Sequence, residues 1–185
     1  MRVPNQASIA LSQLVLIDVQ TKLASVMVHS ELSAVIKNCG ILLQAANMLN
    51  VASIVTEQYP KGLGHTLPEL SALVPNVHPV EKVSFSCLAE PKFSRQLTRD
   101  HSQVIVVGME AHICVLQTAL DLIAADKQVF VVEDAVISRS LANKANAIER
   151  IRAAGCIITN TESVVFEWLG AAEGDAFKVL SKLIR

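Results

Sequence analysis

Residues 104–122 read "VIVVGMEAHICVLQTALDL": an apolar, β-branched run that breaks at Gly108 and resumes as a helical pattern around a lone cysteine, Cys114. A cysteine at a helix N-terminus sits among unpaired backbone N–H groups, where a thiolate is favoured. Two other ionisable residues hold comparable places. Asp18 closes the apolar run "LVLID", and Lys82 closes "VHPVEK". An ordinary thiol, with a pKa of ~8.5, is mostly protonated at neutral pH. A helix N-terminus and a nearby ammonium lower that value, and a carboxylate can take the proton. Together the three types compose an activated nucleophile with its own base. Singly, each has a plainer explanation: Cys114 as a small buried hydrophobe, Asp18 as a turn cap, Lys82 as a solvated cation.

These positions are carried by alternating elements. Strand patterns fall at residues 14–18, 52–58, 77–82, 102–109, 128–134 and 155–160. Helical spacing runs from Ser30, a candidate N-cap, through residue 50, then over 91–98, 113–126 and 143–154, and from Thr161 onward. Residues 59–70, "YPKGLGHTLPEL", form a loop. Six short strands interleaved with helices predict a parallel sheet covered on both faces, in one domain over residues 1–185. Ligands of such sheets bind beyond the carboxyl ends of the strands, where Asp18, Lys82 and Cys114 stand.

Composition narrows the function. The chain is 51% hydrophobic but only 4% aromatic, as aliphatic strands buried on both faces require. With 16 basic and 17 acidic residues it advertises no nucleic-acid or anionic-membrane partner. No apolar run is long enough to span a membrane, and the opening "MRVPNQASIALSQ" lacks the apolar core of an export signal. Four scattered cysteines without a C-x-x-C pair suit a reducing cytoplasm. The first strand-to-helix turn, "DVQTKLAS", has no glycine, which argues against a dinucleotide or P-loop site. No cofactor is expected; the expected partner is a small-molecule substrate.

In order, "LVLIDVQ", "TEQYPKGLGHTLPEL", "EKVSFSC", "VVGMEAHICVLQTALDL", "DAVISRS" and "TESVVFEWLG" resemble the isochorismatase-like cysteine hydrolases. That superfamily includes nicotinamidases and N-carbamoylsarcosine amidohydrolases, and the chain is most similar to its small isochorismatase domain-containing proteins. The resemblance implies a three-layer α/β/α sandwich with a six-stranded parallel, Rossmann-like sheet. It implies Asp18 as general base, Lys82 as triad lysine and Cys114 as nucleophile, hydrolysing a C–N bond of a small amide or carbamoyl compound through a thioester. It also implies a cis peptide at Met109–Glu110, adding the N–H of Glu110 to that of Cys114 as an oxyanion hole. Read without the family, that stretch is a trans loop with the Cys114 donor alone. A homo-oligomer, at least a dimer, is expected from the same resemblance and from the apolar C-terminal segment.

One departure bears on metal. Nicotinamidases carry an Asp-x-His pair after the second strand, where this chain reads "TEQYPKG". The five histidines show no ligand spacing, so no metal is expected. Tyr59, Phe85 and His112 are candidate substrate-binding residues, with Glu57 and Gln58 beside them. Two other functions stay open: vinyl-ether hydrolysis of the isochorismatase type, which needs an acid but no thiol, and a non-catalytic scaffold that retains the fold.

Overall fold

The computed structural model describes residues 5–184, so the first four residues of the opening segment lie outside it. In chain order the elements are β1 (Ser12–Ile17), α1 (Thr21–Ala24), α2 (His29–Met48), β2 (Ala52–Gln58), α3 (Pro60–Leu63), α4 (Pro68–Ser71), β3 (Val80–Lys82), α5 (Pro91–Gln96), β4 (Gln103–Met109), α6 (Leu116–Ala124), β5 (Gln128–Ile137), α7 (Leu141–Ala153), β6 (Ile157–Thr159), α8 (Thr161–Leu169) and α9 (Gly174–Leu183). The six strands form one parallel sheet in the order β3-β2-β1-β4-β5-β6.

Period-two alternation divides each central strand between two helical layers. Leu14 and Leu16 of β1 pack on the side of α2, α8 and α9, while Val15 and Ile17 pack on the side of α6 and α7. All four are fully buried. Each such side chain contributes about 1.5–3 kcal/mol over its exposed state. Successive crossovers run outward from β1 in one direction and from β4 in the other. The switch in strand order therefore falls between β1 and β4, where the crevice of a doubly wound sheet opens.

Several boundaries differ from the sequence expectation. Helix α2 starts at His29 with Val28 as N-cap and no side-chain cap bond, so Ser30 lies inside the first turn. Strand β3 is only three residues long, because its sole sheet neighbour is β2 and Pro79 precedes it. Strand β5 runs on to Ile137, past an irregularity in its pairing with β4 between Val106 and Gly108. The helix expected from residue 113 begins instead with a π turn, Ala111–Val115. The C-terminal helical stretch splits at Gly170, whose φ of +69° closes α8.

Gly108 stands in β4 at a position where a larger residue would clash. Its φ is +120°, and an added Cβ would overlap the Ile17 carbonyl oxygen and lie 2.8 Å from the Ile17 carbonyl carbon. The absent side chain lets β4 close against β1 directly before the segment that carries Cys114.

Candidate active site

Asp18 follows β1 in a left-handed conformation (φ +51°), fully buried. Lys82 is the last residue of β3, and Cys114 lies in the π turn after β4. Three separate strand ends thus bring these side chains together in a cluster that barely reaches solvent: Asp18 is 0% exposed, Lys82 3% and Cys114 5%.

Lys82 Nζ donates to Asp18 Oδ2 and to Gln58 Oε1, both at 2.7 Å, and to the Ser84 and Phe85 carbonyls at 3.2 Å. Burial alone would pull Lys82 below the ordinary lysine value. The Asp18 carboxylate, and Cys87 and Cys114 when ionised, pull it up, and the net direction is up. Lys82 is therefore a fixed cation. Gln58 completes its cage: its Nε2 donates to the Val83 carbonyl (2.8 Å), which turns Oε1 toward the ammonium.

The Cys114 thiol corrects the sequence expectation. Burial pushes its pKa far above the ordinary value, and the Asp18 charge, a hydrogen bond to Asp18 and Cys87 push the same way, with Lys82 opposing. The resting side chain is a protonated thiol beside a carboxylate, not a standing thiolate. Nor does it head a regular helix; it is the fourth residue of a π turn.

The Met109–Glu110 peptide is cis. The Ile113 and Val115 N–H groups both donate to the Glu110 carbonyl, at 3.1 and 3.2 Å, which closes the turn on the residue after the cis bond. Glu110 is 4% exposed and Cys114 5%. Glu110 also anchors the turn. Its Oε2 accepts from the Arg139 N–H (3.0 Å) and Nε (3.2 Å), and Arg139 Nη2 lies 3.0 Å from Oε1.

The three candidate binding residues are placed differently. Tyr59 and Phe85 are about half exposed, at 54% and 52%, which removes core packing as their explanation. Tyr59 N–H donates to the Lys82 carbonyl, and Tyr59 borders a cavity of about 280 Å³ beside Lys82, with Lys61, Val83 and Glu90. Phe85 meets the cluster through its backbone carbonyl. His112 Nδ1 lies 2.9 Å from Ser138 Oγ, tying the π turn to the end of β5. A roomier cavity of about 420 Å³, between α2, α7 and β6, shares no residue with the cluster.

The position where nicotinamidases hold metal does not fit one here. Glu57, 3% exposed, accepts from the Thr66 N–H (2.7 Å) and hydroxyl (2.8 Å) on Oε1, and His65 Nδ1 lies 3.0 Å from Oε2. Both oxygens are committed to anchoring the loop after β2. Among the described residues no three His, Cys, Asp or Glu side chains are grouped for a metal ion.

Sequence reasoning missed Thr56, Gln20 and Arg139. Thr56 Oγ1 donates to Asp18 Oδ1 at 2.7 Å, and Gln20 mimics a strand by pairing with both the N–H and the carbonyl of Gln58. For Thr56 and Gln20 the available signal was a polar residue within or just after an apolar strand, and both are fully buried; Arg139 is exposed and carried no such signal.

A family model described as the isochorismatase domain matches residues 12–163. The chain belongs to the isochorismatase family. Isochorismatase domain-containing protein 2 of Danio rerio is 39% identical over 94% of this chain and 86% of its own length. The secreted isochorismatase effector Isc1 of Phytophthora sojae is 41% identical over 84% of this chain and 76% of its own. Among solved structures, the MAR1 ribonuclease of Caenorhabditis elegans superposes with a TM-score of 0.90 at 38% identity, covering 97% of this chain and 92% of that one. The YcaC gene product of Escherichia coli, described as an octameric hydrolase of unknown specificity, superposes at 0.92 with 22% identity, over 99% and 92%. This last likeness is one of fold. The isochorismatase sheet, six parallel strands between helical layers, is the architecture expected from the sequence.

Proposed function

We propose that this isochorismatase-family hydrolase is a cysteine hydrolase that cleaves a C–N bond of a small amide or carbamoyl compound. One observation carries the reading: Asp18, Lys82 and Cys114, delivered by three strand ends, meet in a nearly water-free cluster whose only anion faces both a fixed ammonium and a thiol.

In this mechanism the Cys114 thiol gives its proton to Asp18 as sulfur attacks the substrate carbonyl carbon. The neighbouring N–H groups of Glu110 and Cys114 receive the oxyanion; one such donor is worth about 10²–10³ in rate. Collapse breaks the C–N bond, and Asp18 returns the proton to the departing amine. Asp18 then takes a proton from water as it attacks the thioester; collapse breaks the C–S bond and releases the acid, and Asp18 passes that proton to the Cys114 sulfur, which regenerates the thiol. Lys82 keeps its proton throughout and holds Asp18 in place. The protonated resting thiol fits this order, since no thiolate need exist before substrate displaces water.

Vinyl-ether hydrolysis leaves the buried Cys114 thiol beside Asp18 without a task. Tyr59, Phe85 and His112 are proposed to contact substrate around the opening. A reducing compartment suits four free cysteines, though one relative is named as secreted; no helix among the described residues is long and apolar enough to cross a membrane.

The test is a panel of small amides, carbamoyl compounds, isochorismate and RNA, the last because structural neighbours at 28–38% identity are named as ribonucleases. Wild type is scored against Cys114→Ala. Hydrolysis of an amide or carbamoyl member that vanishes in C114A supports the reading; RNA cleavage or isochorismate hydrolysis that survives C114A overturns it.

A further inference from the structure

We infer that Thr56 is the positioning residue that aims the Asp18 carboxylate at Cys114, an inference that rests on the reading of Asp18 as base and Cys114 as nucleophile. The two residues are tied twice, in opposite directions. The Asp18 N–H donates to the Thr56 carbonyl at 3.2 Å, and the Thr56 hydroxyl donates to Asp18 Oδ1 at 2.7 Å. This clamp closes where β1 ends, opposite Thr56 in the β1–β2 register, and where Asp18 turns left-handed at φ +51°. A side chain leaving the strand through such a turn has no sheet neighbour of its own to set its direction. Thr56 has one. It lies inside β2, fully buried, and its β-branched side chain is stiff about χ1, so the backbone of β2 dictates where the hydroxyl points.

The direction of the proton follows from the partner: an ionised carboxylate only accepts, so the Thr56 hydroxyl donates to Oδ1. With Oδ1 held by Thr56 and Oδ2 by Lys82, both ends of the carboxylate are pinned, and its hydrogen bond with Cys114 follows from that fixed plane. The charged and titratable groups around Asp18 are Lys82 at the end of β3, Cys87 in the loop beyond it and Cys114 in the π turn.

The test needs no substrate. Iodoacetamide labelling of Cys114 is timed at fixed pH by peptide mapping, with Cys39, Cys87 and Cys156 as internal references and the thermal midpoint as a check on folding. Valine keeps the shape of threonine without the hydroxyl, and serine keeps the hydroxyl without the methyl. Labelling is expected to fall about tenfold or more in Thr56→Val, as a misplaced catalytic group requires, and to stay within about threefold of wild type in Thr56→Ser. A packing role gives the reverse order. If T56V does not fold, Thr56→Ala against T56S makes the same comparison, because serine restores only the hydroxyl. Labelling of T56V at the wild-type rate or faster, or a T56S as slow as T56V, overturns the inference while leaving the hydrolase reading intact. Cys114 labelling that is unaffected by Asp18→Asn instead defeats the hydrolase reading and the inference with it.

Discussion

Lys82 Nζ lies 2.7 Å from Asp18 Oδ2, and neither side chain touches solvent. Two buried charges that meet in this way are costly to separate, because the survivor is left in a medium that cannot hydrate it. The pair therefore binds the short edge strand β3 to the centre of the sheet.

Lys82→Met is expected to destabilise the protein by about 3–5 kcal/mol, since it leaves the Asp18 carboxylate unpaired. Adding Asp18→Asn to that variant is expected to recover part of the loss. Urea unfolding of both variants measures it. Equal stability of K82M and wild type would contradict the tight pair.

Gly108→Ala is expected to cost about 2–6 kcal/mol, combining an unfavourable backbone conformation with overpacking against the Ile17 carbonyl. The readout is again urea unfolding, or loss of soluble protein. A G108A protein as stable as wild type would show that β1 and β4 do not approach as described.

Stability is expected to fall in alkali. Burial raises the thiols of Cys39 to about 12 and of Cys87 and Cys156 to about 11. The unfolded chain releases these protons above its own value while the folded chain retains them. The contribution is thus complete below about pH 9 and is lost as pH rises through about 11. Lys82, also raised, adds to the loss above 10.5. Thermal midpoints between pH 8 and 11 should decline from about pH 9, less steeply in a Cys39→Ala/Cys156→Ala double variant. A flat profile would show these thiols to be hydrated.

Phe166 is 37% exposed and Val179 46%, on the C-terminal helices α8 and α9, and Val26 and Leu141 also face outward. Self-association covers such surface. Light scattering at micromolar concentration is expected to give at least twice the chain mass of 20.0 kDa. A monomer would refute the proposed homo-oligomer.

The fold was legible because burial on both faces writes itself into sequence. Runs such as "VIVV" in β4 are apolar throughout, and the turns between elements are marked by polar and glycine residues. Asp18, Lys82 and Cys114 were legible through their places at strand ends. What the chain order concealed was pairing across strands. Thr56 is a polar residue in a strand until β1 and β2 are in register, and only then does it face Asp18. The resting state of Cys114 was misjudged for a related reason. Depth of burial and the adjacent carboxylate outweigh the ammonium, and both are properties of packing rather than of sequence neighbours.

The central claim, a covalent bond to Cys114, is tested most directly by trapping it. A compound that the protein hydrolyses is mixed with enzyme, quenched in acid within the turnover time and mapped by peptide mass spectrometry. The account predicts the mass of the acyl group on the peptide carrying Cys114, absent when Cys114 is alanine and lost from the native protein on treatment with hydroxylamine. Hydrolysis at an undiminished rate in C114A, with no adduct on that peptide in wild type, would contradict it.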